Sequence, residues 1–310
     1  MNWRAAGSNR RPRFSRMRED YRTEQQVIEV LGDVRYAATI ASAGCTALAL
    51  APRVQRRLWA LDTAPAQTAY VEQRLRGRSP LPDGRLELML ERGRTLLEWL
   101  GVSRADLFRM VNDPEPARRL AIYERLFEQG KAGRWLRRCM GPTVIGFMVR
   151  LPLGPVLPTN AVDELFSKLK RAIGRPDAPA NPYLWQLVCG CDPPDWHLPS
   201  LPPHEAKNVE VVTADFIEWS RQASAGDLDF LALSNILELA SGTTWQRVLA
   251  GASRLLRPGG VALVRSVFSW PQEFPEWMPK TLRVEQGWSW QLQSEDRSVF
   301  CDEILVMRRL

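Results

Sequence analysis

The chain has 310 residues, 45% of them apolar and 25% charged, which suits a soluble globular protein and excludes a fibrous or low-complexity polymer. Its net charge is +7, but residues 1–22 hold seven arginines against Glu19 and Asp20, so most of the excess sits in one segment and nucleic acid is not an expected partner. Five scattered cysteines form no disulfide framework, and no uncharged apolar run is long enough to span a membrane, so reduced thiols and a cytoplasmic chain are expected.

In chain order, residues 1–22 read as a basic, flexible tail. The stretch RYAATIASAGCTALALAPRVQRRLWALD, Arg35 to Asp62, reads as a strand, a tight turn, a helix and a second strand ending in an acid. The turn Ala41-Ser42-Ala43-Gly44-Cys45 holds nothing larger than a thiol, so backbone N–H groups there are open to close approach by a ligand. Asp62 is suited to take the two hydroxyls of a ribose. Only one glycine is present, so the pattern is not the dinucleotide fingerprint. Pro65 to Leu75 reads as the next helix, with proline in its first turn. GRSPLPDG, Gly77 to Gly84, is a break, and helical apolar spacing then recurs over Arg85 to Trp99 and Ala117 to Phe127. Residues 84–190 therefore read as an inserted, mainly helical cap, with residues 23–83 and 191–310 forming the nucleotide-binding domain. Within the cap, Met140 to Leu157 is strongly apolar and suggests a greasy acceptor channel or a membrane-facing patch. Cys189, Cys191, Asp192 and His197 lack a zinc spacing, and no metal is expected.

Farther on, NVEVVTADF reads as a strand ending at Asp215, and DFLALSNILEL as a buried strand ending at Ser234-Asn235. ASRLLRPGGVALVRSV reads as a helix stopped by Pro258-Gly259-Gly260, followed by a strand. Val284 to Gln293 and Ser298 to Met307 read as a final pair of strands. The fold class expected is α/β, a doubly wound Rossmann-like sheet of the class I S-adenosylmethionine (SAM) dependent transferase type. Gly44, Asp62, Asp215 and Asn235 then stand at the C-terminal ends of successive strands, the edge that holds ligands in such sheets.

Several segments also resemble one family. They are TIASAGCTALAL, ALDTAPAQTAYVEQRL, YERLF at Tyr123 to Phe127, NPYLW at Asn181 to Trp185, LALSNILEL, and MREDYRTE at Met17 to Glu24. Together they are similar to the SAM:diacylglycerol 3-amino-3-carboxypropyl transferases of betaine-lipid synthesis. Of that family's Tyr, Gln, Trp-Glu-Asp run, only Arg18-Glu19-Asp20 remains, and this chain is shorter. The resemblance implies transfer of the aminocarboxypropyl group of SAM, with methylthioadenosine released, to a diacylglycerol hydroxyl or a small-molecule acceptor. Peripheral contact with the inner face of a membrane would follow from a lipid acceptor.

Roles follow from fold and resemblance together. Ser42, Ala43, Gly44, Cys45 and Thr46 lie against the donor, Asp62 holds its ribose, Asp215 and Phe216 flank its adenine, and Ser234 borders its reacting end. Tyr123, Arg125 and Asn235 are the expected catalytic residues: Tyr123 orients or deprotonates the acceptor, Arg125 pairs with the donor carboxylate, and Asn235 closes the strand beside the reacting centre. His204 is a weaker candidate base. Methyl transfer, cyclisation of SAM to azetidine-2-carboxylate, and SAM binding without turnover stay open on sequence alone.

Overall fold

The computed structural model describes residues 11–139, 160–197, 199–237, 242–268 and 279–310. The chain divides into two compact units. The first comprises Met1–Gly84, Leu198–Asp296 and Cys301–Leu310; the second comprises Arg85–His197 and Arg297–Phe300.

The first unit is built on β1 (Tyr36–Ile40), β2 (Arg57–Asp62), β3 (Val209–Thr213), β4 (Leu228–Ala232), β5 (Leu256–Ser266), β6 (Leu282–Val284) and β7 (Glu303–Arg309). They form one sheet in the order β3-β2-β1-β4-β5-β7-β6. The first five strands run parallel, and β7 is antiparallel to both β5 and β6. This is the doubly wound, class I SAM-transferase sheet expected from sequence. Its central strands are largely apolar because both faces are covered, with Thr39, Asp229 and Arg265 as buried exceptions. Phe230, Val261, Leu263 and Val306 belong to the core on one face. Their neighbours Leu231, Ala262, Val264 and Met307 belong to the core on the other. The period of two thus feeds two cores from one strand. Chain order reverses between β1 and β4, and the crevice at their C-terminal ends is where such sheets bind ligands.

Three expectations about this unit are corrected. The helix Gly242–Leu255 ends before the Pro-Gly-Gly run, which lies inside β5. There the register against β4 shifts between Leu228/Leu256 and Phe230/Val261, and Gly259 takes φ +78°. Pro258 and Gly259 therefore make a bulge rather than a helix stop. Second, most of Val284 to Gln293 is helix, Gln286–Glu295, and only Leu282–Val284 pairs with β7. Trp288, Trp290 and Leu292 alternate like a strand, but Leu292 is buried and Trp288 packs on the same core, whereas Trp290 is exposed. The spacing of Trp288 and Leu292 is one helical turn. Third, the basic segment is not a free tail from residue 13 onward, because its backbone and side chains pack on the sheet edge, as described below.

The second unit is helical. Its helices are Arg85–Trp99, Arg104–Asn112, Pro116–Tyr123, Lys131–Cys139, Ala161–Gly174 and Pro182–Val188, with a π-helical turn at Glu124–Glu128. Leu107, Met110, Tyr123, Phe127, Phe166, Ile173, Tyr183 and Trp185 pack its core. Arg119 is fully buried and donates to the carbonyls of Asp113, Ile173 and Arg175. Two of these lie at the end of the helix Ala161–Gly174, where carbonyls lack helical partners. The apolar stretch Met140 to Leu157 lies outside the described residues. Among the described residues no helix is long and apolar enough to cross a membrane.

Gly44 is held at φ +82°, and a Cβ added there would lie 3.1 Å from Val71 Cγ1. Gly44→Ala combines left-handed strain with crowding and should lower unfolding free energy by about 1–2 kcal/mol, read by urea denaturation.

Candidate functional site

The turn after β1 is set by its own backbone. Ala41 N–H donates to the Leu61 carbonyl of β2, and Gly44 N–H returns to the Ala41 carbonyl, both at 2.7 Å. Ser42 takes φ +45°, an uncommon conformation outside glycine that tends to gather at functional sites. Arg74 braces the turn from the following helix, donating to the Ala43 carbonyl at 2.7 Å, Cys45 Sγ at 3.0 Å and the Pro199 carbonyl at 3.0 Å. Of the five residues expected against the donor, Ser42 is half-buried, whereas Ala43, Gly44, Cys45 and Thr46 are buried.

The segment Arg13 to Tyr21 runs as a strap across the C-terminal edge of the sheet and covers Ala43 and Cys45, while Gly44 lies against Val71. Arg13 and Phe14 N–H groups donate to Gln67 Oε1, and Gln67 Nε2 donates to the carbonyls of Phe14 and Ser42. Tyr70 OH donates to the Ser15 carbonyl at 3.1 Å. Met17, flanked by Phe14 and Tyr21, packs on Ala43 and Cys45. Ser234 Oγ, beyond β4, donates to Glu19 Oε1 at 2.6 Å. Arg265 Nη2, in β5, donates to the Asp20 carbonyl at 2.9 Å. One strap thus meets structure beyond β2, β1, β4 and β5 in turn.

Its far end carries a buried charge cluster. Arg265 is held by Asp296 through Nη1 at 2.5 Å and by Glu24 through Nη2 at 3.0 Å. Thr23 Oγ1 adds a bond to Asp296 at 2.9 Å. Glu19 Oε2 is 3.8 Å from Arg265 Nε. Burial raises the Glu19 carboxyl to about 7; Arg265 and the Ser234 bond oppose that rise, and the charges of Glu24 and Asp296 add to it. Glu24 is raised as well, again chiefly by burial. Glu19 was not singled out as a site residue from sequence. The signal for it is the Arg18-Glu19-Asp20 remnant of the family's run.

The other expected residues divide by unit. Asp62 is half-buried at the end of β2, and its Oδ1 accepts the Ala64 N–H at 2.8 Å. Burial raises its carboxyl, against the pull of Ala64 N–H and Arg13. Asp215 caps the helix Phe216–Gln222, its Oδ1 accepting from Ile217 and Glu218 N–H. Phe216 is corrected: its ring is 5% exposed, packs in the core beside Trp219 and lies under Gly251, so it offers no face to an adenine. Ser234 is buried at φ +51°, and its hydroxyl is 3.5 Å from Asn235 Oδ1. Ser42, Asp62, Asp215, Ser234 and Asn235 all lie along one edge of the first unit.

Tyr123 is corrected too. Tyr123 is 1% exposed in the core of the second unit, and its hydroxyl donates to the Phe166 carbonyl at 3.0 Å. Burial pushes it up to about 12, away from any use as a base near neutrality. Arg125 is 60% exposed and pairs with Asp106 at 3.0 Å within the same unit. Tyr123 serves the unit's own packing, and Arg125 makes a surface ion pair. His204 is exposed, its Nε2 3.8 Å from Glu205. Among the described residues no group of three metal-ligating side chains converges.

No family model matches the chain. No curated protein matches it either. Two solved structures that match are both the rRNA methyltransferase AviRa from Streptomyces viridochromogenes, 13% identical to this chain. Each covers 93% of this chain and 82% of its own, with TM-scores of 0.34 and 0.35. At TM-scores below 0.5 that likeness carries no argument about what this chain binds or does. Their name sets an RNA substrate against the expectation that nucleic acid is no partner, and that expectation is not kept.

Two outcomes follow. Glu19 keeps its proton to about 7 in the folded chain but releases it near 4.5 when unfolded. Between those values the native state binds more protons, so raising the pH favours unfolding. Melting temperature should fall from pH 5 to pH 7.5, and Glu19→Gln should flatten that fall. Tyr123→Phe should cost about 1 kcal/mol of stability for the lost hydrogen bond. Urea denaturation will measure that loss.

Proposed function

We propose that the chain transfers the 3-amino-3-carboxypropyl group of SAM to a nucleophile, a lipid hydroxyl or a small-molecule acceptor, and releases methylthioadenosine. The observation that carries this reading is the 2.6 Å hydrogen bond from Ser234 to Glu19. Two separate segments of the family resemblance, MREDYRTE and LALSNILEL, meet at that bond, on the strand edge where the fold holds its ligand.

In this reading Asp62 takes the ribose hydroxyls, the Ser42–Gly44 backbone lies along the donor, and Ser234 and Asn235 border the reacting end. SAM carries its own activation as a sulfonium. The nucleophile attacks the γ-carbon, the carbon–sulfur bond breaks with its electron pair going to sulfur, and the acceptor's proton leaves. The chain's task is to align the γ-carbon with the nucleophile and to exclude water.

The deciding experiment is incubation with SAM alone, with diacylglycerol vesicles and with ribosomal RNA, followed by mass spectrometry of nucleoside products. Methylthioadenosine with an alkylated acceptor is the expected result. S-adenosylhomocysteine as the sole nucleoside would replace this reading with methyl transfer. Methylthioadenosine with free azetidine-2-carboxylate would replace it with cyclisation. Asp62→Ala should weaken SAM binding by about 10- to 100-fold, the worth of charge-assisted hydrogen bonds, as calorimetry will measure.

A further inference from the structure

We infer that Glu19 is the residue that receives the α-ammonium group of the donor's amino-acid arm. The inference rests on SAM being the donor and is neutral as to which of its carbons reacts.

The argument begins with what the first strand lacks. Residues 36–46, YAATIASAGCT, contain no charged side chain, so β1 and its turn offer the amino-acid arm no counter-charge for an ammonium. The strap supplies one. Glu19 comes from outside the strand series and reaches the edge between β1 and β4 through its bond to Ser234. Its side chain is 20% exposed, yet its Oε2 is shielded and has no hydrogen-bond partner among the described residues.

Arg265 does not satisfy that oxygen. The guanidinium is engaged by Asp296, Glu24 and the Asp20 carbonyl, and at 3.8 Å its Nε makes no hydrogen bond to Glu19. One guanidinium is shared by three carboxylates, those of Glu19, Glu24 and Asp296. A shielded carboxylate oxygen with no donor and two like charges nearby gains most from a cation that brings its own N–H groups. SAM has two cationic centres. Its sulfonium has no hydrogen to donate, whereas its ammonium has three. The ammonium is therefore the group whose chemistry fits Glu19 Oε2, with Ser234 holding Oε1. Ser234 takes the left-handed conformation at φ +51° while it makes that bond.

The test compares SAM with its deamino analogue, identical but for the amine, by titration calorimetry at pH 7.5. The native chain should bind SAM at least about tenfold more tightly than the analogue, and Glu19→Gln should bind the two within about twofold of each other. Equal binding of both ligands by the native chain would overturn the inference without need of any variant. Discrimination retained by Glu19→Gln, or an equal loss for both ligands, would overturn it as well. If the native chain binds neither SAM nor the analogue, the donor reading itself falls and this inference with it. The product assay above is independent of all these arms, so a failed γ-carbon reading and a failed Glu19 assignment are distinguishable.

Discussion

The guanidinium of Arg265 is the point on which the ligand edge of the sheet depends. It belongs to β5, yet it joins Glu24 of the helix Arg22–Leu31, Asp296 after the helix Gln286–Glu295, and the Asp20 carbonyl of the strap. Its own N–H donates to the Ser234 carbonyl beyond β4 at 2.8 Å. Arg265 is 1% exposed, and the carboxylates around it offset the desolvation of its charge. Those carboxylates in turn stay buried only because it is there. The position of the strap, the left-handed turn at Ser234 and the shielding of Glu19 therefore belong to one network, whose parts do not move independently.

That network explains why the start of the chain misleads when read by composition. Charge counting weighs the arginines of residues 1–22 and finds a solvated tail. Packing weighs Phe14, Met17 and Tyr21, which are spaced so that they cover Ala43 and Cys45. It also weighs the strap's main chain, which finds in Gln67 a side chain offering both a donor and an acceptor. Gln67 reads from sequence as an ordinary residue in the first turn of a helix. Its role depends on a partner more than 50 residues away, and no local pattern carries that information.

The sheet itself was legible because its signals are local and repeated. Buried β-branched and leucine-rich runs, a small-residue turn and an acid at a strand end recur in the order the fold requires. Elements misread were those in which two periods compete. Trp288, Trp290 and Leu292 fit a strand by alternation and a helix by the one-turn spacing of two of them, and burial on one face decided for the helix. The Pro-Gly-Gly run fits a helix stop, but Gly260 sits so near the Leu228 carbonyl that a Cβ would lie 2.8 Å from it, as a bulge in a paired strand demands. Positions at the strand edge were legible where backbone geometry fixes them, at Ser42, Asp62, Asp215 and Ser234. Tyr123 and Arg125 were chosen by resemblance of a short motif, and a short motif does not say whether its tyrosine faces a substrate or a carbonyl of its own core.

The assignment of Glu19 bears on which reaction the edge favours. Several rotatable bonds separate the α-carbon of SAM from its sulfur, so an unanchored arm sweeps through many conformers. An anchor at the ammonium restricts the γ-carbon to fewer positions, and such restriction is the main contribution a protein makes to displacement at an already activated centre. Methyl transfer needs no such restriction, because the methyl group hangs from sulfur directly and is oriented by the adenosine. Cyclisation to azetidine-2-carboxylate needs the opposite state of the amine: unprotonated, and folded back on the γ-carbon. A carboxylate that holds the amine as an ammonium keeps its lone pair occupied by a proton and its position away from the γ-carbon. Were the donor's ammonium held by Glu19, self-alkylation would be disfavoured, while attack by an external nucleophile at the methyl or at the γ-carbon would both stay open.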